Sequence, residues 1–253
     1  MNIILLSEKD FILNSTKALI QDERFVHILQ ILNPNIGQSL KVGLLGGNCG
    51  YGIVESIDSK GVVLQVVLNE LAPHRHPSDI ILALPRPKML RRILRTIAEY
   101  GVNNLHLINS ARVEKSFWQS PLLQQEKIHE ALMEGMQRSK DTIMTKVWLH
   151  QRFRPFIEDE LLEICGDRSC WLTDMGATRS AIDIDISSKP SVVMIGPEGG
   201  FVPFEKELAI SLIAQPIHLG GRTLSVDTAV TTVLAQALPK KKTSQGNHLK
   251  QRN

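Results

Sequence analysis

From residue 80 onward, short apolar runs alternate with segments whose apolar positions recur every three or four residues. Ile80 to Leu84 is such a run and predicts a strand. The next segment, about Lys88 to Tyr100, places Leu90, Ile93, Leu94, Ile97 and Ala98 on one helical face, and Gly101 supplies a stop. The same reading predicts strands at Asn104 to Ile108, Lys146 to Leu149, Ser169 to Thr173, Val192 to Ile195 and Pro216 to Leu219. Helices are expected at about Leu122 to Ser139, at Pro203 to Ala214, and from near Asp227, where Ala229, Val230, Val233, Leu234, Ala237 and Leu238 form a stripe. Alternating strands and helices imply an α/β unit with a largely parallel sheet.

Before that point the pattern is different. Met1 to Ser7 reads as a first strand, since it lacks the basic start and small-residue cleavage site of a signal peptide. Phe25 to Leu32 reads as a short helix, and Asn33 to Gln38 as a turn. Leu40 to Leu45, Gly50 to Ile57 and Val62 to Leu68 read as strands separated by Gly- and Asp-rich turns, the pattern of a small β-barrel or sandwich. Ala72 to Ser78, with Pro73 and Pro77 around His74-Arg75-His76, reads as a solvated linker. The expected units are therefore residues 1–71, a linker at 72–79, an α/β unit at 80–238 and a basic tail at 239–253.

Charge changes this picture only locally. The net charge is +3, but Lys240, Lys241, Lys242, Lys250 and Arg252 all lie in the tail with no acid among them, so the rest is slightly acidic. Arg86, Lys88, Arg91, Arg92 and Arg95 form a second basic cluster without an acid, expected to meet nucleic-acid phosphates. Aromatic residues are too few to favour base stacking as the main binding mode. The cysteines Cys49, Cys165 and Cys170 are odd in number and carry no metal-ligand spacing, which suits a reducing cytoplasm. No apolar run approaches a membrane span, and no metal is expected.

Two late turns concentrate the candidate chemistry. Val192 to Ile195 runs into Gly196-Pro197-Glu198-Gly199-Gly200-Phe201, and about twenty residues later Leu219-Gly220-Gly221-Arg222 runs toward Asp227. The first is neither a P-loop nor a dinucleotide fingerprint. Glycines let a ligand approach the main chain closely, and loops after sheet strands are where ligands usually sit. Pro203 and Glu205 fit the first and third positions of the next helix. Asp227 serves as an N-cap for the last helix or as a functional acid, and Arg222 as a structural or ligand-facing cation.

These residues resemble the bacterial 16S ribosomal RNA uracil-N3 methyltransferases, RsmE-like members of the SPOUT superfamily. The most specific pieces are Ile195 to Phe201 and Leu219 to Leu224, and the likeness extends to Ala83-Leu84-Pro85, Glu99-Tyr100-Gly101-Val102 and Val26 to Leu32. The resemblance implies a small N-terminal PUA-like RNA-binding β-barrel and a C-terminal SPOUT α/β domain with a trefoil knot. It also implies a cytoplasmic homodimer acting on 16S ribosomal RNA or the small ribosomal subunit. S-adenosylmethionine would be held by Leu172, Thr173, Ile195, Gly196, Pro197, Glu198, Gly199, Gly200, Phe201, Leu219, Gly220, Leu224, Ser225, Thr228 and Ala229.

By the same resemblance Arg222 and Asp227 are the catalytic pair. Arg222 would hold phosphate or uracil oxygens, while Asp227 orients it or accepts the N3 proton. The chain departs from the family pattern where Ile-Leu-Arg-x-Glu-Thr-Ala is usual, reading Thr223-Leu224-Ser225-Val226-Asp227-Thr228-Ala229 instead. Two alternatives stay open: methylation of another nucleotide or of a ribose 2′-hydroxyl, and a non-catalytic RNA-binding assembly factor.

Overall fold

Residues before 71 build a five-stranded sheet around their own apolar core. The computed structural model describes residues 2–13, 15–187 and 189–238, so the basic tail from 239 lies outside the described residues. The strands are β1 (Ile4–Leu6), β2 (Lys17–Ile20), β3 (Ser39–Leu44), β4 (Cys49–Asp58) and β5 (Gly61–Glu70), in the order β1-β3-β4-β5-β2. Only β1 and β3 run parallel. Alternate residues point inward, so Ile4, Leu6, Ala18, Ile20, Val42, Val54, Val62 and Leu64 form one cluster. Between β2 and β3, helix α1 (Glu23–His27) continues into a wider turn at Ile28–Leu32, ended by left-handed Asn33.

The remaining strands form an all-parallel sheet ordered β11-β9-β10-β6-β7-β8. They are β6 (Ser78–Ala83), β7 (Asn104–Ile108), β8 (Lys146–His150), β9 (Ser169–Thr173), β10 (Ser191–Ile195) and β11 (Gln215–Ile217). Every residue of β6 and β10 is buried, as expected for inner strands covered on both faces. Buried polar groups at their starts are satisfied: Ser78 and Ser191 share a 2.9 Å hydroxyl bond, and Asp79 accepts from Asn104 and Arg168.

Helix α2 (Pro87–Glu99) has Pro87 in its first turn and buries the five residues its periodicity singled out. It packs on α3 (Gln125–Ser139), which starts later than expected because Pro121–Leu123 forms a separate tight turn. Phe153–Cys165 lies outside the elements expected from the sequence. It is helical, with α4 (Phe153–Pro155), a wider turn at Phe156–Glu160 and α5 (Leu161–Cys165) burying Phe153, Phe156, Ile157, Leu161 and Cys165. Helices α6 (Pro203–Leu212) and α7 (Val226–Ala235) complete the unit. Leu238, expected on the buried stripe of α7, is exposed beyond the helix end.

The expected solvated linker is instead built into the structure. Strand β6 begins at Ser78, inside it. His76 is buried and bonds the Leu234 carbonyl at 3.0 Å, while Arg75 pairs with Asp141 and donates to the carbonyls of Val102 and Ile143. A guanidinium with five donors can satisfy several carbonyls around it, which lets a charged residue sit there half-buried. The first sheet is tied to the same region: Gly46 N–H donates to the Thr142 carbonyl, and Ile3 and Leu5 pack in the second core.

Candidate active site

In a parallel sheet all strand C-termini lie at one edge, so the turns leaving β9, β10 and β11 are brought together by topology alone. Thr173 Oγ1 donates to the Met194 carbonyl at 3.1 Å, joining the ends of β9 and β10. Asp174 N–H donates to the Ile217 carbonyl at 2.8 Å, joining β9 to β11. Lys206 on α6 pairs with Asp174 at 2.9 Å. Thus the loops that begin at Thr173, Ile195 and Ile217 leave the same edge of the sheet, on either side of β9. Leu172, Ile195, Gly196, Pro197 and Phe201 are buried, whereas Glu198, Gly199, Gly220 and Arg222 are exposed. Leu219 and Leu224 are half-buried.

Backbone conformation explains the glycines. Gly200 and Gly220 have φ of +70° and +114°, values that strain any residue with a Cβ. A Cβ added at Gly200, Gly220 or Gly221 meets no atom within 4 Å, so these peptides border open space.

Ser225, not Asp227, is the N-cap residue of α7. Asp227 lies in the first turn, where Ser225 Oγ donates to it at 2.6 Å and also meets Thr228 Oγ1 at 2.9 Å. The Ser225 bond, with a backbone N–H of the same turn and nearby Arg92, holds the Asp227 carboxyl below its ordinary range despite some desolvation. Arg92 reaches its other oxygen at 3.3 Å. Arg222 is exposed and makes no ion pair among the described residues, so the expected Arg222–Asp227 contact is absent. The first turn of α7 faces α2, and Asp227 therefore meets an arginine from that helix. A carboxylate stabilised in this way is also a weaker proton acceptor. Ala229 is buried behind the turn and Thr228 is exposed.

The basic cluster requires a second correction. It has no acid near it in sequence, yet Arg86 lies 3.5 Å from Glu198, Arg91 and Arg95 both pair with Glu134 on α3, and Arg92 pairs with Asp227. Only exposed Lys88 has no acidic partner among the described residues. The acids come from loops and a helix that only the fold brings near.

Two groups near the site carried no ligand role in the sequence reading. Glu205 is 3% exposed and accepts from Ala111 N–H at 2.7 Å, Val202 N–H at 3.0 Å and Ser110 Oγ at 3.1 Å. Arg112 Nη1 donates to the Gly199 carbonyl and, at 3.4 Å, to that of Gly200. The signal was available: Ser110-Ala111-Arg112 follows β7, whose end lies at the same sheet edge. A recess of about 650 Å³ lies elsewhere, between Pro73, Tyr100, Arg138 and Leu238. Its arginine is matched by Glu99 at 3.5 Å, and it has none of the converging glycine peptides of the strand-end loops.

Residues 72–238 match the family described as RNA methyltransferase domain. The chain is 26% identical to the ribosomal RNA small subunit methyltransferase E of Treponema pallidum, over 94% of this chain and 91% of that one. It is 24% identical to the ribosomal RNA small subunit methyltransferase E 1 of Borreliella burgdorferi, over 90% and 94%. The crystal structure of the Neisseria gonorrhoeae ribosomal RNA small subunit methyltransferase E, bound to S-adenosyl methionine, superposes with a TM-score of 0.72 at 18% identity, covering 93% of this chain and 95% of that one. The resemblance drawn from the two glycine turns is borne out.

Proposed function

The chain belongs to the family of RNA methyltransferase domains, and from that premise we propose that it methylates N3 of a uridine in 16S ribosomal RNA, using S-adenosylmethionine. The observation that carries this reading is the convergence of three loops, two of them glycine-rich, at the C-terminal edge of β9, β10 and β11. The residues fit the cofactor: the open peptide between Gly220 and Gly221 offers its C=O and N–H groups to adenine and ribose, and Leu219 and Leu224 offer apolar contact. When bound, the cofactor supplies a methyl group activated on a sulfonium, so the protein's task is alignment.

Arg222, exposed on the third loop, is free to meet the RNA. Its charge would stabilise the uracil anion on O2 and O4 as N3 loses its proton. Asp227, kept ionised by Ser225, orients Arg92 beside the same loop rather than Arg222. N3 lies on the pairing edge, so the uridine must be unpaired or flipped out.

The names of the Treponema and Borreliella relatives support small-subunit ribosomal RNA as substrate. We read residues 1–71 as a PUA-like RNA-binding unit and 80–238 as a SPOUT domain carrying the trefoil knot, paired as a homodimer in the cytoplasm. The knot goes beyond what strand order and general topology rules imply. No helix among the described residues is long and apolar enough to cross a membrane.

Nucleoside mass spectrometry of 16S ribosomal RNA from cells with and without the protein tests the proposal. Loss of N3-methyluridine is expected. Loss of a 2′-O-methyl nucleoside instead would reassign the acceptor. Failure of the folded protein to bind S-adenosylmethionine in calorimetry would favour an RNA-binding assembly factor.

A further inference from the structure

Arg112 stands apart from the paired arginines of α2 because it bonds main chain rather than a carboxylate. Its backbone is fixed at one end by Glu205, which accepts from Ala111 N–H and Ser110 Oγ on the loop and from Val202 N–H just after the glycine turn. From that anchored base the guanidinium reaches two successive carbonyls, those of Gly199 and Gly200. One cation can hold both only if the carbonyls turn the same way, which selects one shape of the bend. The stem takes part as well: a Cβ added to Gly199 would stand 2.9 Å from Arg112 Cδ. The glycine therefore leaves room for this particular side chain. Consecutive glycines otherwise have wide conformational freedom, so an external clamp matters more here than in an ordinary turn.

The geometry points to Arg112 as a positioning residue that holds the Gly199–Gly200 bend in its ligand-accepting shape before S-adenosylmethionine binds. The inference rests on the proposed cofactor. Pre-organisation of this kind raises affinity by reducing the ordering required on binding. The defect of Arg112→Ala should therefore appear in cofactor Kd and KM more than in kcat.

The test compares the full-length wild type with Arg112→Ala, Arg112→Lys and Gly199→Ala, using calorimetry with S-adenosylmethionine and amide hydrogen exchange on ligand-free protein. Arg112→Ala should weaken cofactor binding about tenfold, the scale of one charge-assisted hydrogen bond. Arg112→Lys should recover part of the loss. Exchange at Gly200 and Phe201 should quicken in the alanine variant without cofactor present. Gly199→Ala should weaken binding in the wild-type background but add little once Arg112 is alanine, because the atoms it displaces are gone. Unchanged cofactor affinity and exchange in Arg112→Ala, with the wild type binding normally, would overturn this inference alone. Loss confined to RNA affinity would assign the guanidinium to phosphate and overturn it too. A wild type that does not bind the cofactor would remove both the inference and the reading beneath it.

Discussion

Replacing Glu205 by glutamine changes almost no volume but converts one acceptor oxygen into a donor. In the native protein Oε1 takes the Ala111 N–H, and Oε2 takes the Val202 N–H and the Ser110 hydroxyl. Whichever way the amide turns, its NH2 faces at least one backbone N–H, which then loses its partner in a side-chain environment only 3% exposed. Hydrogen bonds to charged groups contribute about 1.5–3 kcal/mol, and an orphaned buried donor costs about 1–3 kcal/mol. With relaxation, the net loss should be about 2–4 kcal/mol. For a chain of this length each kcal/mol lowers Tm by roughly 2–4 °C, so the expected fall is roughly 5–15 °C. Thermal melting at neutral pH measures it. Cofactor titration should weaken in parallel, because the same carboxylate joins the β7 loop to the turn before α6. A melting point within about 1 °C of the wild type would refute the argument that this carboxylate is a structural staple.

Arg222→Ala should keep cofactor binding and lose most methyl transfer; near-normal turnover would remove Arg222 from the chemistry. Glu134→Gln releases Arg91 and Arg95, so RNA binding should tighten at low salt and its salt dependence steepen, by up to about 0.9 in slope for each added phosphate contact. An unchanged slope would place this face of α2 away from RNA. Burial, with neighbouring His150, pushes His106 down to about 4 from 6.5. Its folded pKa lies below its unfolded one, so its contribution to stability is complete above about pH 6.5 and is lost as pH falls toward 4. Stability should decline across that window by up to about 1.4 kcal/mol per pH unit, and His106→Phe should flatten the decline. Parallel melting curves for the two proteins between pH 4 and 6.5 would contradict this.

Helix α2 shows how much was legible in advance: its five buried residues follow from local spacing, and Gly101 ends it with φ of +69°. The arginines on the same helix show the opposite. Their acid-free neighbourhood in sequence pointed to phosphate, but Glu134, Asp227 and Glu198 arrive from α3, α7 and the β10 loop. His76 misled for a similar reason. Two prolines and a polar run look like a linker, yet the ring is buried against the end of α7. The helical segment Phe153–Cys165, absent from the elements expected above, carries its apolar residues at helical spacing and supplies Phe153, Phe156, Ile157 and Leu161 to the core.

Periodicity and turn chemistry act over a few residues, and that range was enough to determine every strand but β2, most helices and the two glycine bends. Charge partnership acts through space between residues far apart in the chain. The pairing of Arg92 with Asp227, the separation of Asp227 from Arg222, and the grip of Arg112 on Gly199 and Gly200 were therefore decided only when the parallel sheet brought its strand ends to one edge.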